Sequence, residues 1–347
     1  MLTTVWPTPD HPECAPFVVR QVQFLRKQGV EVAVFYVNGR KNPLAYFRAW
    51  INVQQELSRG SFDLIHAQWA QAALPSLPTR RPLVVTFRGS DVEGIITARQ
   101  RHAASGWILR HIARGVARVA TEAILVAARM TRLLPERNYH VIPSGLDLDL
   151  FQPCPQAEAQ ARLGLAPGLR YILFAAAADN PIKRFGLARA AVQLLDTRHR
   201  ARLIVTGGVE PTLMPLYMNA CDALLLTSIH EGSPNVVKEA LACNLPVIST
   251  DVGDVRERVE HVKGCVLCES DDPLVLATAL GVVLDRRQRV EGRVAVQDLN
   301  ESLLTRKVIN VYELALSRYR ACALRPPEPF IRNEVFINES DGPNENP

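Results

Sequence analysis

Two glutamates eight positions apart, Glu231 and Glu239, bracket the part of the chain richest in groups that can do chemistry. The run reads Ile229-His-Glu-Gly-Ser-Pro-Asn-Val-Val-Lys-Glu-Ala-Leu-Ala-Cys-Asn-Leu-Pro246. Ser233 is of the N-cap type, Pro234 suits a first helical position where its missing N–H is harmless, and Asn244 before Pro246 ends the element. The sequence thus predicts a short helix. Its first turn would offer the N–H groups of Asn235, Val236 and Val237, with the positive end of the dipole, to an anion. Glu239 would lie roughly 9 Å from the helix start at about 1.5 Å per residue, beyond reach of any atom that Glu231 touches. Carboxylates so spaced can accept hydrogen bonds from hydroxyls at the two ends of one ligand whose phosphates rest on the helix tip. A nucleotide sugar has that layout. Two solvated glutamates beside an ordinary cap give the same pattern, so spacing alone leaves both readings open.

Such a helix needs a scaffold to aim it. The 347 residues suit two domains, and 48% hydrophobic with 22% charged residues exclude a disordered, collagenous or coiled-coil chain. No apolar run approaches the roughly 18 residues that cross a bilayer; the longest, such as 171–178, suit buried strands. The start of the chain lacks a basic segment followed by an apolar one, which favours a cytoplasmic location. Short apolar strands near 2–5, 30–37, 64–66, 83–87, 123–127 and 140–142 alternate with helical stretches, including 17–28, 44–59 and 108–120. A turn-rich pause at 143–153 precedes a second series, near 171–176, 202–206, 223–227, 246–250 and 265–267. The expected fold is α/β: two Rossmann-like, doubly wound parallel-sheet domains, with ligands bound outside the strand carboxyl ends in a cleft between them. The expected divisions are 1–152, 153–302, a final helix at 303–322 and a disordered tail at 326–347, rich in Pro, Asn and Glu.

The net charge of +5 hides an asymmetry. Residues 1–155 carry 18 Lys and Arg against 11 Asp and Glu, whereas the rest carries 22 against 24. Arg99, Arg101, Arg110, Arg114, Arg118, Arg129, Arg132 and Arg137 form a basic stretch opposed only by Glu122 and Glu136. It reads either as a solvated helix face or as a surface for phosphates, including those of a membrane. It lacks a pattern of interleaved aromatics, which argues against nucleic acid. Trp6, Trp50, Trp69 and Trp107 read as core or interface aromatics. The seven cysteines read as reduced thiols, and the lone pair Cys265 and Cys268 cannot fill a tetrahedral metal site. There is no G-x-G-x-x-G and no G-x-x-x-x-G-K-[ST], so phosphate must be held by another route.

The segment from Glu231 to Glu239 resembles the paired-glutamate motif of family 4 retaining glycosyltransferases (glycosyl transferases group 1) with the GT-B fold. The continuation Ala-Cys-Asn-Leu-Pro-Val-Ile-Ser-Thr-Asp-Val-Gly253 is similar to that family's, as are Phe62-Asp-Leu-Ile-His-Ala67, Pro82-Leu-Val-Val-Thr-Phe-Arg-Gly-Ser-Asp91 and the hinge at 142–153. By this resemblance Glu239 binds the donor's ribose, and Glu231 contacts the transferred sugar. Ser233, Asn235 and the amides of Val236 and Val237 line the sugar and diphosphate. Lys183 matches the family's diphosphate-binding lysine, with Arg184 beside it. The resemblance implies transfer of a hexosyl unit from a UDP- or GDP-sugar to a hydroxyl of a glycan or lipid-linked acceptor, with retention, no cofactor and no metal. It suggests polysaccharide or glycolipid synthesis at the inner membrane face, with acceptor-side candidates His66, Arg88 and Asp91. The chain departs from the family at three places: Asn180 replaces an arginine, Pro16 interrupts a glycine-rich turn, and Arg88 replaces a histidine. These departures support a rival reading, a degenerate GT-B protein that binds without transfer.

Overall fold

The computed structural model describes residues 1–8, 11, 14–37, 43–95, 103–195 and 199–323. The expected tail at 326–347 lies outside them, as do Arg99 and Arg101 of the basic stretch. Eleven strands among the described residues form two sheets, parallel throughout. The first holds β1 (Leu2–Thr3), β2 (Phe35–Tyr36), β3 (Ile65–Gln68), β4 (Leu83–Phe87), β5 (Glu122–Leu125) and β6 (His140–Val141), in the order β2-β1-β3-β4-β5-β6. The second holds β7 (Arg170–Phe174), β8 (Ala201–Val205), β9 (Ala223–Leu226), β10 (Val247–Thr250) and β11 (Val266–Cys268), in the order β11-β10-β9-β7-β8.

Strands covered by helices on both faces need apolar side chains on both, so β4, β9 and β10 read as unbroken buried runs. The strand expected at 30–37 shrinks to β2. It is an edge strand whose sole partner, β1, has two residues. In each sheet the strand order reverses once, between β1 and β3 and between β7 and β9. Ligand crevices in open parallel sheets form outside the strand carboxyl ends at such points. The loops after β7 and β9 carry Lys183 and Glu231.

The two sheets are joined by two chain crossings that lie side by side. Leu146 donates its N–H to Leu299 at 2.7 Å, and Glu301 donates to the Leu146 carbonyl at 2.9 Å. Helix Glu301–Ala323 then packs on helix Pro16–Lys27 and against β4 and β5. It buries Leu304, Val308, Val311, Tyr312 and Ala315, an i, i+4, i+7 stripe that faces inward by helical periodicity. At about 1.5–3 kcal/mol for each large apolar side chain, that stripe is a substantial anchor, and a charge at Val308 would release it.

Candidate functional site

Lys183 and Glu231, 48 residues apart, meet because β7 and β9 are sheet neighbours. The turn Pro181–Lys183 is started by Asn180, whose side-chain oxygen accepts the Ile182 N–H at 3.1 Å. Asn180 therefore shapes the turn that carries Lys183 and supplies no charge. The Thr227 hydroxyl donates to the Lys183 carbonyl at 2.7 Å, and the Ile229 N–H donates to the Ile182 carbonyl at 2.9 Å. With both loops tied, Lys183 Nζ donates to Glu231 Oε1, which also accepts from the Ser228 hydroxyl at 2.7 Å. Charge-assisted bonds of this kind fix a carboxylate more firmly than neutral ones.

The helix beyond runs Asn235–Ala242 with Pro234 at its N-cap. Ser233 does not cap it. The N-cap position falls one residue later, on Pro234, and the Ser233 hydroxyl donates to Asp254 Oδ2 across the loop at 2.6 Å. The N–H of Val237 turns back to the Pro234 carbonyl at 3.2 Å and its side chain is buried, so of the three expected donors only Asn235 and Val236 remain at the helix mouth. Asn244 takes the left-handed conformation expected after the last turn, at φ 56°.

Glu239 faces the first domain, with its carboxylate 4.0 Å from Arg20. Burial pushes the Glu239 carboxyl above its ordinary range, while Arg20 and then Lys238 pull it back. Arg184 is turned elsewhere: its guanidinium pairs with Asp271 and donates to the carbonyls of Thr227 and Ser228, at 2.5 and 3.3 Å. Those bonds leave Lys183 as the cation beside Glu231.

Across the cleft, the acceptor-side candidates fare differently. Asp91 is buried and spends its carboxylate on the backbone, with Oδ1 accepting from the N–H groups of Arg88 and Gly89, each at 3.1 Å, and Oδ2 from Ala70 at 3.0 Å. It shapes the loop after β4. His66 is 3% exposed and bonded through both ring nitrogens, to the Tyr312 hydroxyl at 2.6 Å and the Thr86 hydroxyl at 2.8 Å. Burial holds its pKa well below the usual value, so the ring is neutral and sealed into the core under the final helix. Arg88 is half-buried and lies 4.6 Å from the Phe17 ring centre. Gln68, Gln21 and the Ser144 hydroxyl accept its hydrogen bonds, and burial lowers its pKa to about 10.

Several site residues carry no signal in the sequence. Arg20 is 7% exposed on helix Pro16–Lys27, off the apolar stripe of Val18, Val22 and Leu25, so periodicity marks it as a surface residue. Arg129 reaches across from the first domain to donate to the carbonyls of Glu231 and Gly232, at 3.2 and 2.7 Å, and pairs with Glu93 at 3.0 Å. Glu93 in turn faces His230 at 3.2 Å. Gly232 packs so close that a Cβ there would meet the Arg88 carbonyl at 3.2 Å, a contact that favours glycine. Lys238 is 1% exposed with no hydrogen-bond partner for Nζ, and burial drives its pKa down to about 8.

The basic stretch is less open than its composition suggests. Arg137 donates to the carbonyls of Ala117, Ala120 and Thr121 and so caps the end of helix Ala104–Val119, and Arg114 bonds Leu133. Trp107 on that helix is 62% exposed with its ring tilted against that of His111, so of the two expected places, core or interface, the core is ruled out. Among the described residues no helix is long and apolar enough to cross a membrane, and no cluster of His, Cys, Asp or Glu gathers as for a metal ion.

Comparison with known proteins places this geometry in a family. Residues 3–150 match the model described as Glycosyltransferase Family 4, and residues 171–286 match Glycosyl transferases group 1. The chain belongs to this family of GT-B glycosyltransferases. It is 30% identical over 224 residues to a protein named as a teichuronic acid biosynthesis glycosyltransferase, TuaC, of Bacillus subtilis, a match covering 56% of this chain and 54% of that one. It is 27% identical over 277 residues to D-inositol 3-phosphate glycosyltransferase 1 of Catenulispora acidiphila, covering 67% and 66%. The chain spans about half the length of the curated relatives it matches. Sucrose-phosphate synthase from Thermosynechococcus elongatus shares the fold at a TM-score of 0.73 and 16% identity, over 87% of this chain and 93% of that one. Anabaena Alr3699/HepE, solved with UDP-glucose, shares it at 0.63 and 19%, over 84% and 88%.

Proposed function

We propose that the protein is a retaining, metal-independent hexosyltransferase that moves a sugar from a nucleoside-diphosphate donor to a hydroxyl of a glycan or lipid-linked acceptor. The observation that carries this reading is the Lys183–Glu231 pair beside the open helix mouth of Asn235 and Val236, at the point where the second sheet reverses. A diphosphate seated there meets two backbone donors, the helix dipole and one ammonium. As the glycosidic bond breaks, charge builds on the departing diphosphate, and a fixed cation at that spot stabilises it more than the bound donor. Glu231, held by Lys183 and Ser228, orients the transferred sugar, and Glu239 receives the ribose hydroxyls. Attack from the face the diphosphate leaves needs no protein nucleophile. Lys183 and the helix end supply the positive charge that a metal supplies elsewhere.

UDP is the first donor nucleotide to try, since Anabaena Alr3699/HepE, which shares this fold, is a UDP-glucose complex, with GDP second. The name of TuaC supports a role in cell-surface polysaccharide synthesis. The exposed Trp107 and Ile108 on the arginine-bearing helix Ala104–Val119 support peripheral contact with the cytoplasmic face of a membrane, in a cytoplasmic protein. A second reading, binding without transfer, draws on the commitment of Asn180 to a turn and of Arg184 to Asp271, which leaves the diphosphate one lysine. The deciding experiment incubates the protein with UDP- and GDP-sugars and follows nucleoside diphosphate release, beside Glu231→Ala and Lys183→Ala. Release above both variants supports transfer; equal background in all three leaves binding alone.

A further inference from the structure

We infer that Arg20, a first-domain residue, is a positioning residue for Glu239, holding that carboxylate ionised and aimed into the donor cleft from the hinge. This rests on the proposed donor-binding role of Glu239. The guanidinium meets three elements at once. It donates to the Gly145 carbonyl at 2.9 Å on one chain crossing, bonds Glu301 at 3.3 Å on the other, and faces Glu239 at 4.0 Å through Nη1. Nε and Nη2 are thus occupied by the hinge, and Nη1 is aimed across the domain boundary.

The charges around Glu239 leave little to replace Arg20. Lys238 on the same helix points into the protein beside Asp254 and Arg258, with its Nζ unbonded. From the first domain Arg88 lies within electrostatic reach of both Arg20 and Glu301, but Gln68, Gln21 and Ser144 hold it. Glu301 is itself pushed upward by burial and competes with Glu239 for the same guanidinium. Arg20 is the nearest positive charge to Glu239 and leads those that hold its carboxyl down against burial. A protonated Glu239 would lose acceptor capacity toward a diol and would replace charge-assisted bonds with weaker neutral ones. Because both hinge bonds stay with the crossings, a change of domain angle alters the one weak contact, Arg20 to Glu239. Donor recognition is thereby made to depend on domain closure.

The test measures UDP affinity by calorimetry from pH 5.5 to 8.5 for wild type, Arg20→Gln, Arg20→Lys and Glu239→Gln, with thermal unfolding of each. Where turnover is measurable, KM and kcat for the donor are read alongside. The expected result for Arg20→Gln is UDP binding weakened about tenfold at pH 7. Its loss of affinity on acidification begins at higher pH than in wild type, and KM changes more than kcat. Arg20→Lys, which keeps the charge but cannot span all three contacts, falls between the two. Glu239→Gln leaves only the pH dependence that the terminal phosphate of UDP itself brings in this range, and that remainder no longer responds to Arg20. If Arg20→Gln does not fold, the affinity and pH profile of Arg20→Lys decide: a wild-type profile overturns the inference, an intermediate one upholds it. Arg20→Gln that binds UDP as wild type does, or that only lowers the melting temperature, also overturns it. If wild type itself binds neither UDP nor GDP, the proposed function falls and takes this inference with it. Wild-type binding that is indifferent to Arg20 removes the inference alone.

Discussion

On the second-domain wall of the cleft, Lys183, Glu231 and the amides of Asn235 and Val236 keep bonding capacity facing the opening. On the first-domain wall, Asp91 and His66 have theirs closed by the protein, and Arg88 is held by three neutral acceptors. Arg88 and Asp91 follow β4 as Lys183 and Glu231 follow β7 and β9, so position in the topology does not separate the walls. What separates them is who satisfies their hydrogen bonds. A carboxylate that accepts three backbone N–H groups builds a loop, whereas one held by a lysine and a serine hydroxyl keeps an oxygen for a ligand.

The contrast can be broken most sharply at Lys183. Lys183→Ala should lower the rate of nucleoside diphosphate release about 10²- to 10³-fold, the usual cost of removing one preorganised charge-stabilising group, with little change in melting temperature. Asp91→Asn should do the reverse. It sets an NH₂ group against a backbone N–H in a buried loop, at a cost of about 2–3 kcal/mol of stability seen in denaturant titration. The folded fraction should still turn over donor at close to the normal rate. Comparable stability losses in the two variants would erase the distinction between the walls.

Smaller effects refine it. Arg129→Ala removes the first domain's grip on the Glu231 loop, and since this arginine is partly exposed the loss should be about 0.5–1 kcal/mol, read as a two- to fivefold rise in donor KM. Lys238→Met replaces a buried, unbonded ammonium with an apolar chain of similar length. It should stabilise the fold by about 1 kcal/mol at pH 7. The sign follows from linkage: the folded pKa of about 8 lies below the ordinary 10.5, so the penalty is full below pH 8 and fades as pH rises toward 10.5. Melting curves of the two proteins should therefore converge on going from pH 7 to pH 10.

The order of elements, the two sheets and the helix that carries Glu239 were legible because alternating apolar runs, Pro234, Asn244 and Pro246 each act through local chemistry. The meeting of Lys183 with Glu231 was legible only through resemblance, since sheet adjacency of β7 and β9 is not a local property. Ser233 has the residue type of a cap, but the helix starts one position later and its hydroxyl binds Asp254, 21 residues away, which no local pattern reveals. Arg184 stands next to Lys183 in sequence, and nothing local shows that it is committed to Asp271, 87 residues distant. Arg20 left no trace at all: charged residues on helix faces read as solvated, and here the solvent side is occupied by the hinge.

Arg129 touches the second domain through the carbonyl oxygens of Glu231 and Gly232, and so it reads the main chain and ignores the side chains. Substitution at position 231 therefore removes the carboxylate while the handshake between the domains persists. A Glu231 variant is in this respect a clean knockout of chemistry. Relatives could exchange that side chain for another donor specificity without redesigning how the molecule shuts.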